Sequence, residues 1–168
     1  MSIFLAKYFS YLLLFYLFLE LPFVATLLPL ESVSTALAVE ATKHTIEFIG
    51  IKATLHGASF SLDNAVMLIA PECNGLRATL LFIAVLLAYP SALKNRIIWV
   101  VGSLIVLPLL NIARITFLAW VLRYHLPQFD MVHDYIVPAI MILVTLALFY
   151  LYTYQANASL NSEKRATT

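Results

Sequence analysis

The chain has one cysteine, Cys73, set in Pro71-Glu72-Cys73-Asn74-Gly75, a turn-forming stretch that leads into the apolar run Leu76–Tyr89. A thiol at the start of a helix meets backbone N–H groups and the positive end of the helix dipole, and both favour a thiolate nucleophile. Arg77, four residues on, can add positive charge on the same face. A lone cysteine forms no intramolecular disulfide, so this thiol serves either as a small packing group or as a reactive one.

Two further residues have types that are costly where they stand. Arg114 lies in Leu109-Leu110-Asn111-Ile112-Ala113-Arg114-Ile115-Thr116-Phe117, and an arginine at the centre of a membrane helix costs about 2.5–3.5 kcal/mol on insertion scales. That cost calls for a partner or a polar cavity. Asn111, three residues earlier, faces nearly the same way and is a candidate to hold the guanidinium; an ion pair with Glu20 or Asp134 is the competing, purely structural explanation. His133, in Val132-His133-Asp134-Tyr135, opens the last apolar stretch. Its imidazole can take a proton from a thiol and return it to a leaving amine, or it can be a polar cap at the membrane surface. His125 competes with it for the base, and His44 and His56 are further candidates.

The elements that must position these groups belong to a membrane protein. Of 168 residues, 62% are hydrophobic and 11% charged, against about 25% charged in ordinary soluble domains. A chain this apolar is solvated by membrane lipids. The net charge of +1 comes from scattered residues, which excludes a nucleic-acid interface. Four well-separated histidines and one cysteine offer no CxxC or HxxxH spacing, so no metal or other cofactor is expected.

Four stretches approach the roughly 20 helical residues needed to cross a hydrocarbon core: Tyr8–Leu30, Leu76–Tyr89 with flanks from Gly75 to Leu93, Ile97–Leu122 and Tyr135–Tyr154. The expected fold is an all-α polytopic membrane protein with residues 1–154 as one domain and 155–168 as a short polar cytoplasmic tail. Lys7, Lys94, Arg96, Lys164 and Arg165 fall on one side of this arrangement, which makes that side cytoplasmic, with Arg123 the exception. The loop at about 31–74 then faces outward, and its Glu31, Glu40, Glu47, Asp63 and Glu72 outnumber Lys43 and Lys52. Arg114 falls in the outer half of its helix, about 14 Å below Arg123 by helix rise. Cys73, Arg114 and His133 thus come from three helices and converge near the outer half of the membrane, as a nucleophile, an oxyanion stabiliser and a base must.

Within the outer loop His44–Ile49 and Ala58–Leu62 alternate, and Asp63-Asn64 is a two-residue turn into Ala65–Ile69, a pattern that predicts a small antiparallel β element just before the second helix. Ala36-Leu37-Ala38 has the small residues of a signal-peptide cleavage site, but the first apolar run exceeds a signal core, contains Glu20 and Pro22 and precedes further spans. Asn157-Ala158-Ser159 matches a glycosylation triplet on what is expected to be the inert, cytoplasmic side. There is no Gly-x-Ser-x-Gly run for a serine peptidase of the rhomboid kind. The non-enzymatic alternative is a four-helix membrane assembly or accessory protein in which the polar residues form an internal network.

In order and spacing, Cys73-Asn74-Gly75-Leu76-Arg77, Asn111-Ile112-Ala113-Arg114 and His133 resemble the exosortase/archaeosortase family, over a core of about residues 45–150. The resemblance implies a membrane cysteine transpeptidase or protease of the cytoplasmic membrane, acting at its outer face. Its partners would be exported proteins that end in a short motif, a transmembrane helix and a basic tail. It implies Cys73 as the thioester-forming nucleophile, His133 as acid/base and Arg114 as the group that orients substrate or stabilises the oxyanion, with Gly75, Arg77 and Asn111 in support. Family members more often carry a small residue before the cysteine and Ser after it, where this chain has Glu72 and Asn74. Many members are larger, which adds an accessory membrane subunit to the expected partners.

Overall fold

The computed structural model describes residues 2–21, 29–62, 65–70 and 73–166. It is mostly helical, with helices α1 (Ser2–Glu20), α2 (Leu30–Phe48), α3 (Leu76–Ala88), α4 (Leu93–Tyr124) and α5 (Val137–Ala166), and strands β1 (Thr54–His56), β2 (Ser59–Leu62) and β3 (Ala65–Leu68) between α2 and α3. Helix α4, and the helical run Leu126–Ala158 that includes most of α5, are long and apolar enough to cross a membrane. The apolar segments Ile3–Phe18 and Leu76–Ala88 are shorter. Helix α3 covers less than the expected Gly75–Leu93 because Gly75, at φ +82°, precedes it and Pro90 follows it. The later part of the expected first span, residues 22–28, lies outside the described residues.

The expected strand at His44–Ile49 is corrected: His44 to Phe48 finish helix α2, and Ile49 is its C-cap. Six alternating residues satisfy a helical stripe as readily as a strand when good helix formers precede them, and Leu30–Phe48 supplies Glu31, Ala36, Leu37, Ala38, Glu40, Ala41 and Lys43. Its buried residues Ala38, Val39, Thr42 and Ile46 follow the 3.6-residue period. The helix stops at Gly50, whose φ of +81° only glycine adopts without strain. There the Gly50 N–H donates to Glu47 O and the Ile51 N–H to Ile46 O, closing a Schellman cap.

The β element is an antiparallel sheet in the order β1-β2-β3. Register pairs Leu55 with Phe60 and Phe60 with Met67. The expected Asp63-Asn64 turn lies outside the described residues, while the strands flanking it pair at Leu62 and Ala65.

The chain divides into two compact units. One comprises residues 1–28, 78–106 and 142–168. Its interior holds the fully buried Tyr152, whose hydroxyl donates to Leu86 O at 2.9 Å and shares a 2.7 Å hydrogen bond with Ser91 Oγ. Tyr89, Trp99 and Phe149 pack their rings around it at centroid distances of 5.7–6.5 Å. The other unit comprises residues 29–77 and 107–141. Its core gathers Ile46 and Ile51, the sheet residues Phe60, Leu62, Met67 and Ile69, and Ile115, Leu118, Ala119 and Leu122 of α4. A 2.6 Å hydrogen bond between Thr45 Oγ1 and Thr116 Oγ1 ties α2 to α4 within this unit.

Candidate active site

The three polar residues singled out by their cost line one cavity of about 200 Å³ in the second unit. Cys73 enters from the turn before α3, Arg114 from α4 and His133 from the segment before α5. Val66, Met67, Leu68 and Ile69 form one wall, and Ile115, Leu118, Leu122 and Phe129 complete it. The walls are apolar apart from the three groups, so any charge that develops there is poorly screened by water.

Cys73 is half-buried. Its N–H donates to Ala70 O at 2.8 Å, and its carbonyl accepts from Asn111 Nδ2 at 2.8 Å. Both backbone polar groups of the cysteine are thereby occupied, which fixes the peptide while leaving the thiol on the cavity. Asn111 is buried and holds the cysteine backbone, so the expectation that it holds the Arg114 guanidinium is corrected. Helical spacing at i, i+3 allows that contact, but the Cys73 carbonyl offers Asn111 a fixed acceptor from across the fold. Gly75 makes the approach possible: a Cβ there would lie 2.9 Å from Asn111 Cγ, and its positive φ adds strain for any other residue.

Asn74 holds the same turn from the other side. Its Oδ1 accepts from the Leu76 N–H at 2.8 Å, a local turn that opens α3, while its Nδ2 donates to Thr35 Oγ1 at 3.0 Å and to Glu31 O at 3.3 Å on α2. In sequence Asn74 figures only as a departure from the usual serine, and nothing there points to Thr35. Arg77 is also re-assigned. Its Nε and Nη2 both reach Glu31 Oε1, at 3.1 and 2.9 Å, and it does not line the cavity. Glu72, Pro71 and the Glu20 side chain lie outside the described residues.

Arg114 is half-buried, with its Nε sealed from solvent and given no hydrogen-bond partner. Among the described residues it makes no ion pair, and Asp134, the alternative counter-ion, is engaged with His133 instead. His133 Nδ1 lies 2.7 Å from Asp134 Oδ1. A carboxylate accepts and does not donate, so Nδ1 carries the hydrogen and Nε2 the lone pair. Phe129 stacks on the imidazole at 5.5 Å and 22°. His133 belongs to a π-helical turn, Val132–Ile136, in which the Val137 N–H donates five residues back to Val132 O. Pro138 follows directly and has no N–H for the Asp134 carbonyl, so a regular α turn is not available there.

The other histidines stand apart from the cavity. His125 packs on Trp120 at 5.0 Å, His44 pairs with Glu40 at 3.3 Å on α2, and His56 lies in β1. No group of three or more metal-ligating side chains occurs among the described residues. A thiol, a guanidinium with an unused donor and an imidazole with an open nitrogen thus share an apolar cavity, a set suited to acyl transfer.

The family model described as transmembrane exosortase (Exosortase_EpsH) matches residues 4–151. The chain therefore belongs to the transmembrane exosortase family and is a membrane protein. No curated protein and no solved structure matches it.

Proposed function

We propose that the chain is an exosortase-type cysteine transpeptidase or protease that cuts C-terminal sorting signals of exported proteins. Cys73 Sγ attacks the carbonyl carbon of the target peptide bond, and its proton passes to Nε2 of His133. The electron pair displaced from the C=O bond becomes an oxyanion, which accepts hydrogen bonds from Arg114. Collapse of the adduct breaks the C–N bond, His133 gives the proton to the departing amine, and an acyl thioester remains on Cys73. An amine or a water then attacks the thioester, loses its proton to His133 and restores the thiol. Asp134 keeps the imidazole in the required tautomer.

The observation that carries this reading is the buried, unpaired Nε of Arg114 in the cavity that Cys73 and His133 also line. A buried donor left without an acceptor costs about 1–3 kcal/mol, and such a group is explained when an acceptor arrives with the substrate. Cys73 cannot offer its own N–H to the oxyanion while that group donates to Ala70, so Arg114 is the donor the cavity has to spare.

We place four transmembrane helices, both termini on the cytoplasmic side and the cavity at the outer face. The positions of Lys7, Lys94, Arg96, Lys164 and Arg165 support this arrangement. A reporter fused after Thr168 that works only outside the cell should stay silent, and activity from it would reverse the arrangement.

The chemistry is tested by co-expressing the chain with an exported protein that ends in a short motif, an apolar helix and a basic tail. Conversion of precursor to processed form is then followed on a gel. Cys73→Ala should abolish conversion while the protein still accumulates in the membrane. Conversion at the unmodified rate would remove the cysteine mechanism and favour the non-enzymatic assembly.

A further inference from the structure

Strand β3 is an edge of the sheet, and among the described residues no strand pairs with its outer side. Antiparallel pairing alternates between residues that exchange hydrogen bonds and residues whose N–H and C=O point the other way. The Ile69 N–H donates to Ala58 O, which sets the phase. With Phe60 opposite Met67 and Leu62 opposite Ala65, the inward-bonding residues are Ala65, Met67 and Ile69. Val66 and Leu68 therefore direct their N–H and C=O groups to the open edge. Their side chains are also exposed, at 69% and 64%.

Exposed edges are usually blunted by charge, proline or a covering element because they template further strand pairing. Ala65-Val66-Met67-Leu68 has no charge and no proline. The opposite edge, β1, presents Thr54 and His56 on exposed positions and comes after Lys52. The unprotected edge is the one that forms the cavity wall with Cys73, Arg114 and His133.

Building on the peptidase reading, we propose that β3 is the substrate-docking strand: an extended peptide segment of the exported protein adds to it as a fourth strand and delivers its scissile carbonyl to Cys73. Four backbone groups of Val66 and Leu68 hold the peptide by main-chain hydrogen bonds, which require an extended backbone and no particular side chain. Selectivity comes from apolar residues at alternate positions of the peptide, where they meet Val66 and Leu68 on one face. With no charge on β3, the basic tail of the substrate is read elsewhere.

Leu68→Pro removes one outward N–H and leaves the β2–β3 ladder donors in place, since proline is compatible with an edge strand. Processing of the co-expressed exported protein should fall at least tenfold at low substrate level and recover as substrate is raised. A cross-linking scan avoids reliance on that variant folding. In a Cys73→Ala, Leu68→Cys chain the introduced thiol is the only one, and single cysteines are placed at six successive positions of the substrate motif before oxidation with copper phenanthroline. Disulfides at alternate substrate positions support strand addition. Disulfides at successive positions, or none, while the unmodified chain processes the same protein, overturn the docking strand and leave the peptidase reading intact. Absence of processing by the unmodified chain removes both.

Discussion

Two arginines set in apolar helix α4 have opposite surroundings. Arg96 and Arg114 each bury an Nε without a partner. Arg96, in the first unit, reaches back with Nη2 to the carbonyls of Tyr89 and Ser91, both at 3.4 Å, where it ties down the connection after α3. Beside it Tyr152 satisfies its hydroxyl with Leu86 and Ser91. Arg114, in the second unit, makes no hydrogen bond or ion pair among the described residues, and it shares its cavity with Cys73 and His133. Arg96 Nη2 and the Tyr152 hydroxyl thus serve the fold of the first region. In the mechanism proposed above, the unspent Nε of Arg114 is a donor preorganised for the charge of a transition state.

The comparison breaks most visibly at the proposed nucleophile and base. Cys73→Ala and His133→Ala should each lower processing by orders of magnitude, with thermal stability close to that of the unmodified chain, and the double variant should be little worse than either single one. His125→Ala should be mild. A melting point that drops in step with activity would place Cys73 among the structural residues.

Next come the arginines themselves. Arg114→Lys keeps the charge and loses the planar fork, so activity should fall by about 10²–10³-fold, the range for loss of an oxyanion donor. Arg96→Lys should leave the rate per folded molecule unchanged. Equal losses in a processing assay normalised to folded protein would erase the distinction between the two regions.

The smallest effect sharpens the other side. Tyr152→Phe removes a hydroxyl that serves Leu86 and Ser91, for a loss of about 1–3 kcal/mol in stability measured by thermal unfolding in detergent. Processing per folded molecule should not change.

The three candidate site residues were legible because each violates its surroundings: an arginine, a lone thiol and a histidine stand out against apolar runs. Their supporters were legible only in part. Helical spacing nominated Asn111 as a neighbour of Arg114 and Arg77 as a neighbour of Cys73, but both side chains took partners distant in sequence, at Cys73 O and Glu31. Local spacing ranks neighbours within one element and is silent about better acceptors elsewhere. Asn74, Asp134 and Phe129 were overlooked as supports for the same reason. The strand expected at His44–Ile49 failed because six residues are too few to separate a period of two from one of 3.6. Strands β2 and β3 were legible in the alternation of Ala58–Leu62 and in the run Ala65–Ile69, while β1 at Thr54–His56 was not expected, since three residues are too few to show a period.

The π-helical turn at Val132–Ile136 sets an angle as well as a hydrogen-bond pattern. Each residue of an α-helix advances about 100° around the axis, since 3.6 residues complete a turn, so a turn that accommodates one extra residue shifts the phase between the helical segments on its two sides. Val132–Ile136 therefore works as a one-residue insertion that decouples the direction of His133 from the apolar stripe of α5. Removing one residue from that turn would rotate His133 by about 100° relative to the helix that follows it. The direction of His133 is thus set apart from the phase of the helix that follows, and the register between them is written in a single residue.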